Sequence, residues 1–148
     1  MTTELSTIYP TGPRPLPTNT YLQINTPLVV ASASTATFWI EAFVNNTGSP
    51  VYVDAIRLNT GGVVTQSATF DSYLQVTGSD PGTSPTHTVG TQATFSTSTD
   101  VGVGINVTLS STQADRVVAP GESLWFKVIG VTGLVALPLN IVTTLRAF

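Results

Sequence analysis

One residue in three in this chain branches at Cβ: Thr, Val and Ile number 26, 18 and 7 among 148. Such side chains lose rotamer freedom against a helical turn but sit well on a pleated surface. The long unbranched helix formers are scarce, with one Lys, one Met and three Glu. Twelve Gly and ten Pro punctuate the sequence throughout. Together these features predict a single all-β domain of many short strands and turns, a sandwich or barrel-like fold. The length suits one domain, since domains usually hold about 100–150 residues.

The strands are read from two-residue alternation and from the turn residues between them. Tyr21–Val30 is the first, with Pro27 marking an edge or bulge. Ala36–Asn45 follows, with Phe38, Ile40, Ala42 and Val44 on one face and Thr37, Trp39, Glu41 and Phe43 on the other. Two aromatics on that second face predict that it too is covered. NNTGSP at 45–50 reads as a turn, Val51–Leu58 as the return strand of a hairpin, and Val63–Phe70 with Tyr73–Thr77 as a continuing meander. NTG recurs at 46–48 and 59–61, a hairpin rhythm without a longer repeat. Gly78–Gly90 is the longest loop, and the stretch from Thr83 to Thr99 has no formal charge. Val101–Leu109 alternates most cleanly, and its Gly102 and Gly104 imply a close approach on that face. Ser110–Arg116 reads as a polar loop. Ser123–Val131 and Val135–Leu145 close the chain, apolar on both faces and joined at Thr132–Gly133.

Residues 1–20 read as an extended arm and 21–148 as the β domain. Pro10, Pro13, Pro15 and Pro17 crowd YPTGPRPLP, where each fixes φ and pushes its predecessor toward extended backbone. Ile8, Tyr9 and Leu16 supply apolar anchors, and Arg14 the one charge of this stretch. The ordinary reading is a disordered leader or an edge segment packed on its own domain. The sharper one is a strap, already stiff, that reaches a neighbouring subunit at small entropic cost.

Charge excludes several functions. Charged residues make up 9% of the chain and the net charge is −3, against about 25% charged in an average globular protein. Arg14, Arg57, Arg116, Lys127 and Arg146 are scattered, so the clustered cations that nucleic acid or an anionic membrane surface requires are absent. No apolar run approaches the roughly 20 residues of a membrane helix. The start MTTELSTIYP has neither the basic nor the apolar region of a signal peptide. No Cys is present, which rules out a disulfide or a thiolate metal site.

Catalytic groups are as sparse. His87 is the only histidine, and between Thr86 and Thr88 it reads as an exposed loop residue and not a base. No G-x-S-x-G elbow and no phosphate-binding loop occurs. Glu4, Glu41, Asp54, Asp71, Asp80, Asp100, Asp115 and Glu122 are spread along the chain, where paired-acid catalysis needs two brought together. A calcium site at Asp71 and Asp80 lacks the D-x-D-x-D-G loop. Asn45-Asn46-Thr47 and Asn106-Val107-Thr108 match the glycosylation pattern, as chance allows in a Thr-rich chain. The expectation is therefore no enzyme, no metal and no cofactor. So few charges on so apolar a chain predict a homo-oligomer that buries the surplus surface.

The leader TELSTIYPTGPRPLP, the segment WIEAFVNNTGSPVYVDAIRL and the final SLWFKVIGVTGLVALPLN resemble capsid decoration proteins of tailed bacteriophages. The chain looks most like the trimeric decoration proteins of long-tailed phages of thermophilic bacteria. The resemblance implies a β-tulip or jelly-roll-like domain, three copies at the three-fold positions of the expanded head, and an arm over Thr2–Pro17 lying across neighbouring subunits of the major capsid protein. It implies a virion protein on the outer capsid surface, made in the host cytoplasm, that stabilises the head without chemistry. Its contact residues would be Ile8, Tyr9, Pro10, Pro13, Arg14, Pro15, Leu16 and Pro17. Any heat resistance would have to come from apolar burial and association, because Lys and Glu networks are missing. A second reading is a carbohydrate- or receptor-binding module of a fibre or adhesin, with Trp39, Tyr52, Tyr73 and Trp125 stacking on sugars, although aromatics in such a chain are more often core.

Overall fold

The computed structural model describes residues 19–30, 37–64, 66–82, 85–96, 104–130 and 137–147. These form ten strands and one short 3-10 turn: β1 (Tyr21–Val30), β2 (Thr37–Val44), β3 (Val51–Thr60), β4 (Ala68–Val76), β5 (His87–Thr88), β6 (Ala93–Phe95), β7 (Gly104–Asn106), a turn at Gln113–Arg116, β8 (Val117–Val118), β9 (Glu122–Gly130) and β10 (Leu137–Ala147). The arm residues Ile8, Tyr9, Pro10, Pro13, Arg14, Pro15, Leu16 and Pro17 lie outside the described residues. The all-β expectation holds.

Two antiparallel sheets face each other. The first runs β1-β10-β3-β7, with β8 also on β3; the second runs β2-β9-β4-β5, with β6 also on β4. If β5 with β6 and β7 with β8 each count as one broken strand, eight positions are arranged 1-8-3-6 and 2-7-4-5. That is the strand order of a jelly roll, and it excludes the tulip alternative.

This order corrects the hairpin reading. β2 pairs with β9 and β3 with β10, so the 45–50 turn carries the chain from one sheet to the other. The segments 61–67 and 131–136 likewise join strands of different sheets, so β3 and β4 form no meander. The reason lies partly in Asn45. Its side chain is fully buried, its amide donates to the Ser49 and Val118 carbonyls, and its Oδ1 accepts from the Thr47 N–H and hydroxyl. The turn is thereby held to β8 and not folded back on β2. The neighbouring turn at 119–123 (APGES) is held by Gly121, at φ +84°, where a side chain would be strained. Its N–H donates to the Asn45 carbonyl.

Two further boundaries move. Val63–Phe70 and Tyr73–Thr77 are not separate strands, because β4 runs unbroken through Asp71 and Ser72. A bulge between Glu41 and Phe43 inserts Ala42 and turns Phe43 inward, opposite Leu124. Phe43 therefore packs against the core, away from the face of Trp39 and Glu41.

The core lies between the sheets. Phe70 and Phe126 meet with ring centroids 5.1 Å apart, and Phe95, Ile56, Leu58, Leu74, Leu124, Ile141 and Leu145 surround them, all fully buried. Each such side chain contributes about 1.5–3 kcal/mol by leaving water. Burial is not even. The inward side chains of β3, β9 and β10 are closed off, whereas Leu22, Ile24 and Leu28 of β1 and Phe38, Ile40 and Phe43 of β2 are only half-buried. β1 and β2 are the terminal strands of their sheets, lie beside each other, and have no further ladder among the described residues.

Candidate functional site: the outer face of the β2-β9-β4 sheet

Strand alternation turns Trp39 and Glu41, Trp125 and Lys127, and Asp71 and Tyr73 away from the core. The register aligns them in two rows across the sheet, Trp39–Lys127–Asp71 and Glu41–Trp125–Tyr73. The Trp39 and Tyr73 rings lean together over β9, with centroids 5.7 Å apart and planes tilted by 40°. The Lys127 ammonium lies 5.3 Å from the centre of the Trp39 ring, a cation over the negative face of an indole. Burial, and then the nearby Asp71 carboxylate, raises the Tyr73 hydroxyl above its ordinary value of 10.0. The expectation that these aromatics form core is thus wrong for Trp39, Tyr73 and Trp125, whose places in the core are taken by phenylalanines. Tyr52 belongs elsewhere: on the other sheet, its ring has the Arg116 and Arg146 guanidinium groups 4.4 and 5.0 Å from its centre. Arg146 also pairs with Asp54 at 2.9 Å, which raises its already high pKa.

A cleft of about 610 Å³ opens between this face and the turn at 77–82, floored by Trp39, Glu41 and Trp125. Its volume is in the range of small-molecule sites. Glu41 is exposed but held in place. The Ser123 hydroxyl donates to Glu41 Oε1 at 2.6 Å, so the Thr77 hydroxyl must be the donor in its 3.2 Å contact with Ser123. Across the cleft, Asp80 Oδ1 accepts the Gly82 N–H at 2.7 Å and shapes the turn. The Trp125 indole N–H is buried without a partner among the described residues.

The other singled-out groups are placed as follows. His87 is not an exposed loop residue: it lies in β5, about a third exposed, with Nδ1 3.0 Å from Asp115 Oδ1. A carboxylate only accepts, so the imidazole carries a hydrogen on Nδ1. The Ser110 hydroxyl donates to Asp115 Oδ2 at 2.6 Å. These two bonds, that of Ser110 first, hold the Asp115 carboxyl below its ordinary 3.8. Although the three residue types match a catalytic triad, the serine gives its proton to the acid and not to the imidazole, which leaves it unactivated. Asp71 accepts from Gln92 at 3.1 Å, and no group of three metal-ligating side chains occurs among the described residues. Asn45 is buried and cannot serve as a glycosylation acceptor; Asn106 is exposed. No helix among the described residues is long and apolar enough to cross a membrane. Gly104 meets the close approach its sequence implied, because a Cβ there would collide with the Arg57 guanidinium.

The fold thus defines an antiparallel jelly-roll β-sandwich with an aromatic outer face on one sheet. No family model matches the chain, and no curated protein does. Among solved structures, that of Desmodium yellow mottle tymovirus overlaps it with a TM-score of 0.39 at 11% identity, covering 93% of this chain and 94% of the other. The structure of turnip yellow mosaic virus at 100 K overlaps with a TM-score of 0.36 at 8% identity, covering 88% and 94%. Similarity this slight leaves function to be argued from the chain itself.

Proposed function

We propose that this chain is a structural protein of a virion surface: a jelly-roll domain that self-associates, as a trimer, on the outside of a capsid and fastens neighbouring subunits of the major capsid protein with its N-terminal arm. The observation that carries the reading is the half-exposed flank of β1 and β2, beyond which no further strand pairs among the described residues. Leu22, Ile24, Leu28, Phe38, Ile40 and Phe43 pack on the core yet remain half-exposed beside two terminal strands. Unpaired strand edges next to apolar side chains are a template for association unless something covers them. A chain with 9% charged residues has little else to keep such a flank in solution. Jelly rolls recur in capsid and lectin domains. The work asked of the protein is mechanical. Several weak contacts on one rigid trimer add through effective concentration and resist outward pressure on the shell.

The test is co-sedimentation of the full chain with expanded and unexpanded phage heads stripped of decoration, alongside light scattering of the free protein. Binding to expanded heads and a trimer in solution are expected. Deleting residues 1–17 should leave the trimer but weaken head binding at least tenfold, about 1.4 kcal/mol. Binding to neither form of head, or a stable monomer at micromolar concentration, would overturn the reading.

A further inference from the structure

We propose that the cleft over Trp39, Glu41 and Trp125 is a saccharide-binding site, on the outer face of the sheet whose β2 edge belongs to the flank used for association. Three observations converge on it. First, the chain has two tryptophans, and both lie on the floor of this cleft and not in the core. Both are partly buried, and the indole surface they leave open lines a concave outer face, where aromatic side chains serve ligand contact. A sugar ring offers a flat patch of C–H groups that matches such a surface, with hydroxyls around its rim.

Second, the polar groups at the cleft are acceptors set in advance. Glu41 is fixed through Ser123 and Thr77, so its Oε1 is occupied while the carboxylate keeps lone pairs facing the cleft. Asp80 lines the opposite wall, in a turn closed by its own bond to Gly82. Hydroxyl donors fit these acceptors, and a pre-positioned carboxylate avoids the ordering cost of binding.

Third, charge decides between the two ligand classes that favour aromatics beside carboxylates. The Trp39 face already has Lys127 at 5.3 Å, and a second cation there would meet like charge. An anionic sugar would meet Glu41 and Asp80. A neutral, hydroxyl-rich saccharide suffers neither conflict.

The experiment uses the full chain and its own fluorescence, since both emitters sit in the site. Chitohexaose, cellohexaose and maltohexaose are titrated separately, with tetramethylammonium chloride as the rival probe. At least one hexasaccharide is expected to shift tryptophan emission saturably, with a Kd of about 1 mM or tighter. Glu41→Gln, which keeps shape and the Ser123 bond, is expected to weaken that binding about tenfold with an unchanged circular dichroism spectrum. Trp39→Ala should abolish it. No response to any hexasaccharide at about ten times that concentration would overturn the proposal, as would wild-type affinity in Glu41→Gln. Saturation by tetramethylammonium alone would overturn it in favour of a cation cage. Head co-sedimentation of Glu41→Gln stays at the wild-type level if the site and the capsid role are separate, which keeps the two proposals distinguishable.

Discussion

The two flanks of the sandwich are closed by different means. On one, β1 and β2 are strands of ten and eight residues, laddered along their inner edges at every position but the Ala42 bulge. On the other, β5 to β8 are fragments of two or three residues. The well-formed strands leave six core side chains half-exposed, whereas the fragments and the residues beside them bury Val89, Phe95 and Val118 fully and leave Ala93 and Ile105 partly open. What closes the fragmented flank is bonding between loops. Gly90 bridges Leu109, the Thr91 N–H and hydroxyl donate to the Thr108 carbonyl, Gln92 reaches Asp71, and Asp115 joins His87 to Ser110. Ladder length therefore does not decide how dry a core is; what matters is whether something is tied across the last strand. The β1/β2 flank has no such tie among the described residues, and that is why it reads as a surface awaiting a neighbour.

The largest test sets one phenylalanine against another. Phe126→Ala removes a fully buried ring and should cost about 3–5 kcal/mol, read from urea unfolding. Phe38→Ala, on the open flank, should cost about 1–2 kcal/mol, because part of its ring already meets water. Equal costs would mean that the flank is covered in solution, and a protein-concentration dependence of the Phe38→Ala midpoint would show by what. A smaller effect is expected from Gln92→Ala on the closed flank. It strips Asp71, only 8% exposed, of an amide donor and should cost about 1–2 kcal/mol. No loss there would break the account of loop bonds as the closing device.

The smallest effect is in pH. The folded Asp115 carboxyl titrates below its ordinary 3.8 because Ser110 and His87 donate to it. A lowered carboxyl contributes stability above its unfolded pKa and loses it as pH falls through the folded value. The melting temperature of the wild type should therefore exceed that of Asp115→Asn at neutral pH, and the gap should close below about pH 4. A gap independent of pH would mean that the carboxylate's charge plays no part in holding this flank.

Some of this was legible in advance. The β-branched content and turn spacing named the fold class, and Tyr21–Val30 was placed to the residue because its alternation runs unbroken between a polar leader and a small-residue stretch. The Trp39–Glu41 pair was visible on one face of its strand, but its companions were not. Trp125 and Tyr73 lie 86 and 34 positions away from Trp39 in sequence, and only strand pairing brings them beside it. The Ala42 bulge also escaped, since strict alternation assigned Phe43 to the wrong face. His87 was misplaced for a related reason: two residues of strand between prolines and threonines leave no periodic signal.

The chain's composition and two-residue period alone settled that it folds as β-sheet with an uncharged, apolar interior, because those properties act residue by residue. Which strands pair was decided only in three dimensions. A turn such as Asn-Asn-Thr-Gly-Ser-Pro between alternating segments serves a hairpin and a sheet-to-sheet crossing equally well. The choice between them rests on contacts such as Asn45 to Val118, 73 positions apart, whose free energy appears only once the sheets have met.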